Sequence, residues 1–97
     1  MEKQLQSIII KWLRANHVYV IKTRPGAGTP VGCPDVIGLY RGRYIALEVK
    51  ASAAAPLQPL QRETLDILSH NSKWAFLVYP ENWEYIKKII KIDFICA

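Results

Sequence analysis

The sequence predicts an α/β fold in which helices flank a mixed central sheet. The first helix is predicted from about Glu2 to Ala15, because apolar residues recur there at the spacing of one helix face, namely Leu5, Ile8, Ile9, Trp12 and Leu13. Short β-branched and aromatic segments bounded by turn residues predict strands. Two of these segments are apolar on both faces, which is typical of strands covered by helices.

Three strands are predicted before the next helix. Val18 to Thr23 is β-branched and aromatic and predicts the first strand. Arg24 to Pro34 holds three Gly and three Pro and predicts a loop. Val36 to Tyr40 and Arg43 to Lys50 predict a hairpin, because the turn residues Arg41-Gly42 lie between them.

The second half of the chain predicts a helix, a strand and a last helix. Pro59 suits the first turn of a helix, and its inward face is expected to carry Leu60, Thr64, Ile67 and Leu68. Trp74 to Tyr79 predicts a short buried strand that ends at Pro80. Asn82 is predicted to cap the last helix, whose apolar face carries Trp83, Ile86, Ile89 and Ile90. The predicted order is α-β-β-β-α-β-α.

The composition predicts one globular domain that covers residues 1–97, with 51% apolar and 22% charged residues. No apolar run approaches the ~20 residues that span a bilayer. The segment from Met1 to Ser7 is polar and lacks a signal-peptide pattern. We therefore expect a cytoplasmic protein without a membrane partner. The net charge of +5 suits a polyanion such as nucleic acid, although a solvated basic surface explains it as simply.

Two cysteines, Cys33 and Cys96, are expected to be free thiols in a reducing compartment. Together with His17 and His70 they make four potential zinc ligands. No pair of them has the short spacing that zinc sites use, so zinc is a minor alternative.

The predicted hairpin brings two carboxylates to facing positions. If Arg41 and Gly42 are the two central residues of a tight turn, the numbers of facing residues add to 83, and Asp35 faces Glu48. Like charges in facing positions destabilise a hairpin. A divalent cation between them would offset the repulsion, because Mg²⁺ typically uses one or two carboxylates and keeps several waters. Lys50 lies two residues after Glu48 and therefore shares its face of the strand. An ammonium group there can orient the attacking water or stabilise charge on a phosphate.

A simpler interpretation of the same residues stays open. Glu48 and Lys50 at i and i+2 can form only an exposed ion pair. A bulge in the hairpin would also shift the register by one residue. Against this interpretation, unpaired charges between covered apolar strands are costly.

These residues resemble a known nuclease family. Pro34-Asp35, followed by Glu48-Val49-Lys50 at the end of the next strand, is similar to the PD-(D/E)xK motif, and the order of elements is similar to the αβββαβ core of restriction-endonuclease-like folds. The stretches VGCPDVIGLYRGRYIALEVK and LQPLQRETLDIL resemble the VRR-NUC branch, in its short stand-alone phage and bacterial form. The resemblance extends from the first helix to Tyr79.

The resemblance implies a metal-dependent nuclease. Asp35 and Glu48 would hold Mg²⁺ or Mn²⁺, with the backbone carbonyl of Val49 as a further ligand. Lys50 would position the water, and Gln61 would join the site. Family members often carry an acidic ligand on the first helix, and Glu2 is the candidate here.

The expected substrate is DNA, with branched or junction-like DNA preferred. Arg24 and the glycine-rich loop after it can contact phosphate, and Lys22 and Arg62 are further candidate DNA-binding residues. Two alternatives come from other classes of protein. One is a basic DNA-binding or junction-recognition module that does not cut, and the other is a structural interaction domain with an incidental pair of acidic residues.

The apolar composition of the C-terminal segment predicts that another surface covers it. KIIKIDFICA is more apolar than a chain end that is free in solvent. The tail could pair as an edge strand within its own domain or pack against a second copy across a two-fold axis. A homodimer is favoured because a monomer of this size has little core to cover Ile92, Phe94 and Ile95.

Overall fold

The computed structural model describes residues 2–97, and its elements follow the predicted order with one addition. The helices are α1 (Glu2–Ala15), α2 (Pro59–Asn71) and α3 (Trp83–Ile89). A short π-helix, η1 (Ile90–Ile95), continues α3. The strands are β1 (Tyr19–Lys22), β2 (Val36–Tyr40), β3 (Arg43–Val49) and β4 (Trp74–Val78). The predicted α/β class is confirmed.

The four strands form one mixed sheet in the order β1-β2-β3-β4. The pairs β1–β2 and β2–β3 are antiparallel, whereas β3 and β4 are parallel because α2 carries the chain from the end of β3 back to the start of β4. The long strand β3 therefore lies inside the sheet and has a neighbour on each side.

The predicted hairpin register is confirmed. Tyr40 pairs with Arg43 and Val36 pairs with Leu47, so the paired numbers add to 83. Arg41 and Gly42 have φ values of 50° and 78°. Two positive φ angles are the signature of the two-residue turn whose twist matches that of the flanking strands. The β2–β3 ladder has no shift in register between these two pairs.

The main core lies between one face of the sheet and the helices α1 and α3 with η1. Ile45, Leu47 and Val49 of β3 point to this side and are fully buried. They form one cluster with the apolar face of α1, which contributes Leu5, Ile9, Ile10 and Leu13. The rings of Trp12 in α1 and Trp83 in α3 meet edge to face at 5.7 Å.

The opposite face of the sheet is covered only in part. α2 packs over β3 and β4, and Tyr19, Ile21 and Leu39 of β1 and β2 remain exposed. The expectation that helices cover both faces of the hairpin is therefore wrong for β2.

The predicted inward face of α2 is also partly wrong. Thr64 and Leu68 are half-buried as expected, but Leu60 is exposed and Ile67 is 56% exposed. The helix is rotated so that Gln61 and Leu65 face the sheet. The hydrogen bonds of Gln61 to residues of β3 and its end account for this rotation, because a polar side chain at a buried position needs its partners.

The chain end is covered within one protomer. Ile90 and Phe94 of η1 are fully buried, and the Phe94 ring contacts Trp74 at 5.3 Å and Tyr40 at 5.9 Å. The tail is helical, so the edge-strand alternative is wrong, and Phe94 needs no second copy to cover it. The apolar tail is therefore no longer a reason to expect a homodimer, although Ile92 remains exposed.

Asn82 occupies the N-cap position of α3, but its side chain does not cap the helix. Its Oδ1 accepts a hydrogen bond from the N–H of Tyr79, and its Nδ2 donates to the carbonyl of Leu77. Through these two hydrogen bonds the side chain instead links the end of β4 to the start of α3. None of the helices in residues 2–97 has the length and apolarity needed to cross a bilayer.

Candidate metal-binding active site

Asp35 is fixed at the start of β2 by contacts from two other strands. The backbone N–H of Thr23, just after β1, donates to the Asp35 carbonyl at 3.0 Å, and the Thr23 hydroxyl donates to the Pro34 carbonyl at 2.6 Å. The side-chain Oδ2 of Asp35 accepts a hydrogen bond from the N–H of Val49 at 2.8 Å. The carboxylate is therefore held beside the end of β3.

Glu48 is the buried member of the acidic pair. It is 1% exposed and points to the α2 side of β3. Extending the observed register by one residue beyond Val36 and Leu47 places Asp35 opposite Glu48, as predicted. The Oε2 atom accepts a hydrogen bond from Gln61 Nε2 at 2.9 Å, whereas Oε1 is buried and has no partner among the described residues. A buried carboxyl oxygen without a partner is costly, and a ligand from outside the chain is one way to satisfy it.

The acidity of Glu48 reflects this environment. Burial is the main cause that raises the pKa of Glu48 from 4.5 to about 8, and the negative charge of Asp35 is the next. As a hydrogen-bond acceptor for the protonated Glu48, Asp35 raises the pKa further. The positive charge of Lys50 opposes the shift, and the charge of Glu2 adds to it. Without a cation, Glu48 therefore tends to keep its proton at neutral pH, and a bound cation would favour the ionised carboxylate.

Lys50 and Gln61 complete the network around Glu48. Lys50 Nζ lies 3.7 Å from Glu48 Oε2 and donates to Gln61 Oε1 at 2.9 Å. The same Gln61 oxygen accepts a hydrogen bond from the N–H of Gln58 at 2.9 Å, at the start of α2. Gln61 thus fixes the helix start and joins the carboxylate to the ammonium group. An amide can do both because it has a donor and an acceptor end.

Three clefts that share lining residues form a groove past Asp35 and Gln61. The middle cleft has a volume of about 490 Å³ and is lined by Asp35, Cys33 and Gln61. On one side it opens into a cleft of about 620 Å³ that shares Asp35 and Arg24 with it. We call this side the basic arm, and it is lined by Glu2, Lys3, Gln6, Lys22 and Arg24.

The other side of the groove has no charged residue in its lining, which consists of Val31, Gly32, Gln58, Pro59, Leu60 and Gln61. A cleft of about 470 Å³ shares Val31, Gly32 and Gln61 with the middle cleft, and Leu60 lies in its wall. We call it the apolar arm. The two arms adjoin different parts of the middle cleft, since they share no lining residue with each other, and they differ in charge.

The residues present fit a hard divalent cation. Within residues 2–97 no three acidic, His or Cys side chains come together as a full set of metal ligands. Mg²⁺ does not need such a set, because one or two carboxylates and several waters satisfy it. The unpartnered Oε1 of Glu48 and the Asp35 carboxylate would be the two ligands of such a cation. Burial, followed by the charge of Glu48, raises the pKa of the Cys33 thiol, which disfavours the thiolate that zinc prefers.

Most predicted site residues line this groove or contact residues that line it. Asp35, Glu48, Lys50 and Gln61 form the network described above, and Val49 joins it through its N–H; its carbonyl as a ligand stays a prediction. Glu2 lies in the basic arm. Lys22 and Arg24 line this arm as well, but Arg62 lines a separate depression on α2 with Asp66 and His70.

The sequence pattern did not single out Thr23, Gln58 or Gln6. Thr23 and Gln58 act through backbone contacts that no spacing rule reveals. Gln6 is buried and lines the basic arm one helical turn after Glu2. The i, i+4 spacing of Glu2 and Gln6 is the one signal that could have identified it.

Comparisons with models of known protein families, with curated proteins and with solved structures find no match to this chain.

Proposed function

We propose that this protein is a metal-dependent nuclease that hydrolyses a phosphodiester bond in DNA, with the restriction-endonuclease-like core and the VRR-NUC relationship that the sequence indicates. One observation carries the proposal. A fully buried glutamate, Glu48, has an unpartnered oxygen beneath a groove with a basic arm, and the Asp35 carboxylate, whose charge acts on Glu48, lines that groove. A cation is the simplest ligand for such a pair, and a polyanion suits the basic arm.

In this proposal Asp35 and Glu48 hold Mg²⁺ or Mn²⁺, and the carbonyl of Val49 and the carboxylate of Glu2 are further candidate ligands. When bound, the cation lowers the pKa of a water and offsets the charge that develops on the phosphate. The protein supplies the fixed position of both carboxylates. The N–H of Val49 holds Asp35, and the amide of Gln61 holds Glu48.

Lys50 is assigned to the attacking water and the phosphate. Its ammonium group has three donors, and one of them is satisfied by Gln61 Oε1. A second can hold a water, and a third can stabilise negative charge on a phosphate oxygen. The hydrogen bond from Gln61 restricts the rotation of the Lys50 side chain, so the amine is oriented before DNA binds.

Lys22, Arg24 and Lys3 are assigned to the DNA backbone, because they line the basic arm next to Asp35. Lys/Arg contacts to phosphates give affinity without sequence preference. All proposed site residues lie in one protomer, so the chemistry requires no dimer.

The test is nicking of supercoiled plasmid DNA, followed on agarose gels with Mg²⁺, with Mn²⁺ and with EDTA. We expect conversion to the nicked form with either cation and none with EDTA. Asp35→Asn should abolish nicking and retain DNA binding, because it changes a metal ligand and leaves the basic arm intact. Asp66→Asn, at an exposed position of α2, is the matched control and should nick like the wild type.

Three other outcomes would contradict the proposal. Near-normal nicking by Asp35→Asn would reject the metal site. Salt-sensitive DNA binding without any cutting would favour a binding module, and no DNA binding at all would favour an interaction domain.

A further inference from the structure

We propose that the apolar arm of the groove is a subsite for an unstacked base next to the cleaved phosphate, with Val31 and Leu60 as its contact surface. This inference rests on the proposed nuclease function and names a feature of the DNA that the same groove accepts.

The first observation is the exposure of two large apolar side chains beside the acidic pair. Val31 is 78% exposed and Leu60 is 47% exposed. They line the same cleft, and this cleft shares Gly32 and Gln61 with the one that contains Asp35. Exposed apolar side chains that form one wall of a groove indicate an apolar binding partner.

The second observation is that this surface is preformed. Val31 belongs to the loop before β2, and Leu60 lies in the first turn of α2. Gly32 joins the two elements, because a Cβ atom at this position would lie only 2.6 Å from the backbone oxygen of Leu60. The loop therefore rests directly on the helix start, which sets Val31 beside Leu60.

The contrast between the two arms identifies the partner. The basic arm suits the phosphates of a DNA backbone. An intact duplex offers apolar side chains little besides the methyl group of thymine, because its bases are paired and stacked. An unpaired base exposes its ring face, and ring faces bind apolar and aromatic side chains without sequence preference. A strand that leaves its partner near the cleaved phosphate would place its backbone in the basic arm and its base in the apolar arm.

The test compares two fluorescein-labelled DNAs by anisotropy with Ca²⁺ in place of Mg²⁺, so that binding is measured without cutting. One is a splayed fork, and the other is the linear duplex of the same length. We expect the wild type to bind the fork more tightly. The double variant Val31→Ser/Leu60→Ser should lose about fivefold of this preference, the lower end of the range for a base stacked on an aromatic side chain, because both side chains are aliphatic. Its affinity for the linear duplex should not change.

Two variants sharpen the result. Val31→Trp should increase the preference for the fork, because an aromatic ring stacks better and position 31 is open to solvent. Ile67→Ser is the matched control, since Ile67 is a similarly exposed apolar residue of α2 that lines neither arm. It should bind both DNAs like the wild type.

A second test removes the base from the DNA and leaves the protein unchanged. It uses a fork whose first unpaired nucleotide lacks its base. Wild-type protein should bind this abasic fork more weakly than the intact fork, and the double variant should bind both alike. The subsite is rejected if wild type does not prefer the fork, if the double variant keeps the preference, or if it weakens fork and duplex equally. The subsite is also rejected if sedimentation gives a lower mass for the free double variant than for the free wild type, because Val31 and Leu60 would then contact a second copy.

The same samples separate this inference from the proposed function. Fork preference that depends on Val31, without nicking in Mg²⁺ or Mn²⁺, would retain the subsite and reject the nuclease. Nicking without fork preference would retain the nuclease and reject the subsite.

Discussion

The side-chain Nε2 of Gln61 donates a hydrogen bond to Oε2 of Glu48 over 2.9 Å. The contact joins the first turn of α2 to the inner strand β3. The other Glu48 oxygen, Oε1, has no partner among the described residues. In the proposed site, Gln61 therefore determines which oxygen a cation would contact.

Replacing Gln61 should reduce catalysis much more than DNA binding. In Gln61→Leu, Lys50 loses its acceptor and Glu48 loses its donor, so neither group is held in position. We expect nicking to fall by roughly 10- to 100-fold, as when the supporting partners of metal ligands are removed. Initial nicking rates at saturating Mn²⁺ measure this effect. Glu63→Leu, at an exposed position of the same helix, is the control; equal rates for the two variants would contradict the role of Gln61.

Lys50→Ala should separate catalysis from metal binding. The ammonium group contacts Gln61 and approaches Glu48, but it is a cation and cannot ligate another one. We expect poor nicking, with Mn²⁺ affinity kept or increased because a positive charge has been removed. Titration with Mn²⁺ by calorimetry measures the affinity. Loss of Mn²⁺ binding would show that Lys50 supports the structure of the site instead. Lys73→Ala, at an exposed position before β4, should leave both properties unchanged.

The pKa of Glu48 predicts how the stability of the metal-free protein depends on pH. Its pKa is about 8 in the folded protein, against 4.5 when unfolded. The stabilising contribution of the protonated group is therefore complete below pH 4.5 and is lost as the pH rises through about 8. In EDTA, Glu48→Gln should gain stability relative to wild type between pH 5 and 8. We expect a gain of at least about 1.4 kcal/mol, the equivalent of one pKa unit.

Urea unfolding at pH 5 and pH 8 measures this difference, and added Mn²⁺ should stabilise the wild type but not Glu48→Gln at pH 8. Glu81→Gln changes an exposed carboxyl group and should follow the wild type. If the free energy of unfolding changed with pH in the same way in Glu48→Gln and in wild type, the pKa of Glu48 would not be raised in the metal-free protein.

The hairpin and the acidic pair were predictable because their geometry is local. A two-residue turn fixes the register of both strands, so the facing positions of Asp35 and Glu48 follow from counting. The rotation of α2 was not predictable in this way. Its apolar residues allow two inward faces, and the choice depends on Gln61 meeting partners that lie 11 and 13 positions earlier in the chain.

The chain end and the groove required the three-dimensional structure. A short apolar run such as that from Ile89 to Ile95 does not reveal whether it forms a strand or a helix. Its burial depends on Trp74 and Tyr40, which lie in other elements. The apolar arm exists because the loop at Gly32 rests on α2, and the position of a Gly- and Pro-rich loop cannot be derived from composition.

Gly32 provides a test of that contact. Gly32→Ala should disturb the loop, because the new methyl group would lie 2.6 Å from the Leu60 oxygen. Gly28→Ala is the matched control, since Gly28 has a similar φ, 89° against 85°, and open space around it. Both variants carry the cost of about 1 kcal/mol for a side chain at positive φ. Only Gly32→Ala should also lower nicking, measured on plasmid DNA. Equal activity of the two variants would contradict a role for the contact.

The basic arm predicts which cations govern the salt dependence of DNA binding. Lys22→Ala and Arg24→Ala should each weaken binding and reduce the slope of log affinity against log salt by about one, the value for one lost phosphate contact. Arg62→Ala should leave the slope unchanged, because Arg62 lies outside the groove. Anisotropy titrations of a linear duplex from low to moderate salt give the slope. An effect of Arg62→Ala equal to that of Arg24→Ala would place the DNA elsewhere.

Phe94 should stabilise the monomer. It is fully buried in η1 against Trp74 and Tyr40, so truncation leaves a cavity inside the domain. We expect Phe94→Ala to lower the free energy of unfolding by about 3–5 kcal/mol. Ile92→Ala, at an exposed position two residues earlier, should change it by less than about 0.5 kcal/mol. Urea unfolding measures both values, and sedimentation measures the mass. A Phe94→Ala protein that unfolds like the wild type but sediments with half its mass would instead place Phe94 between two copies.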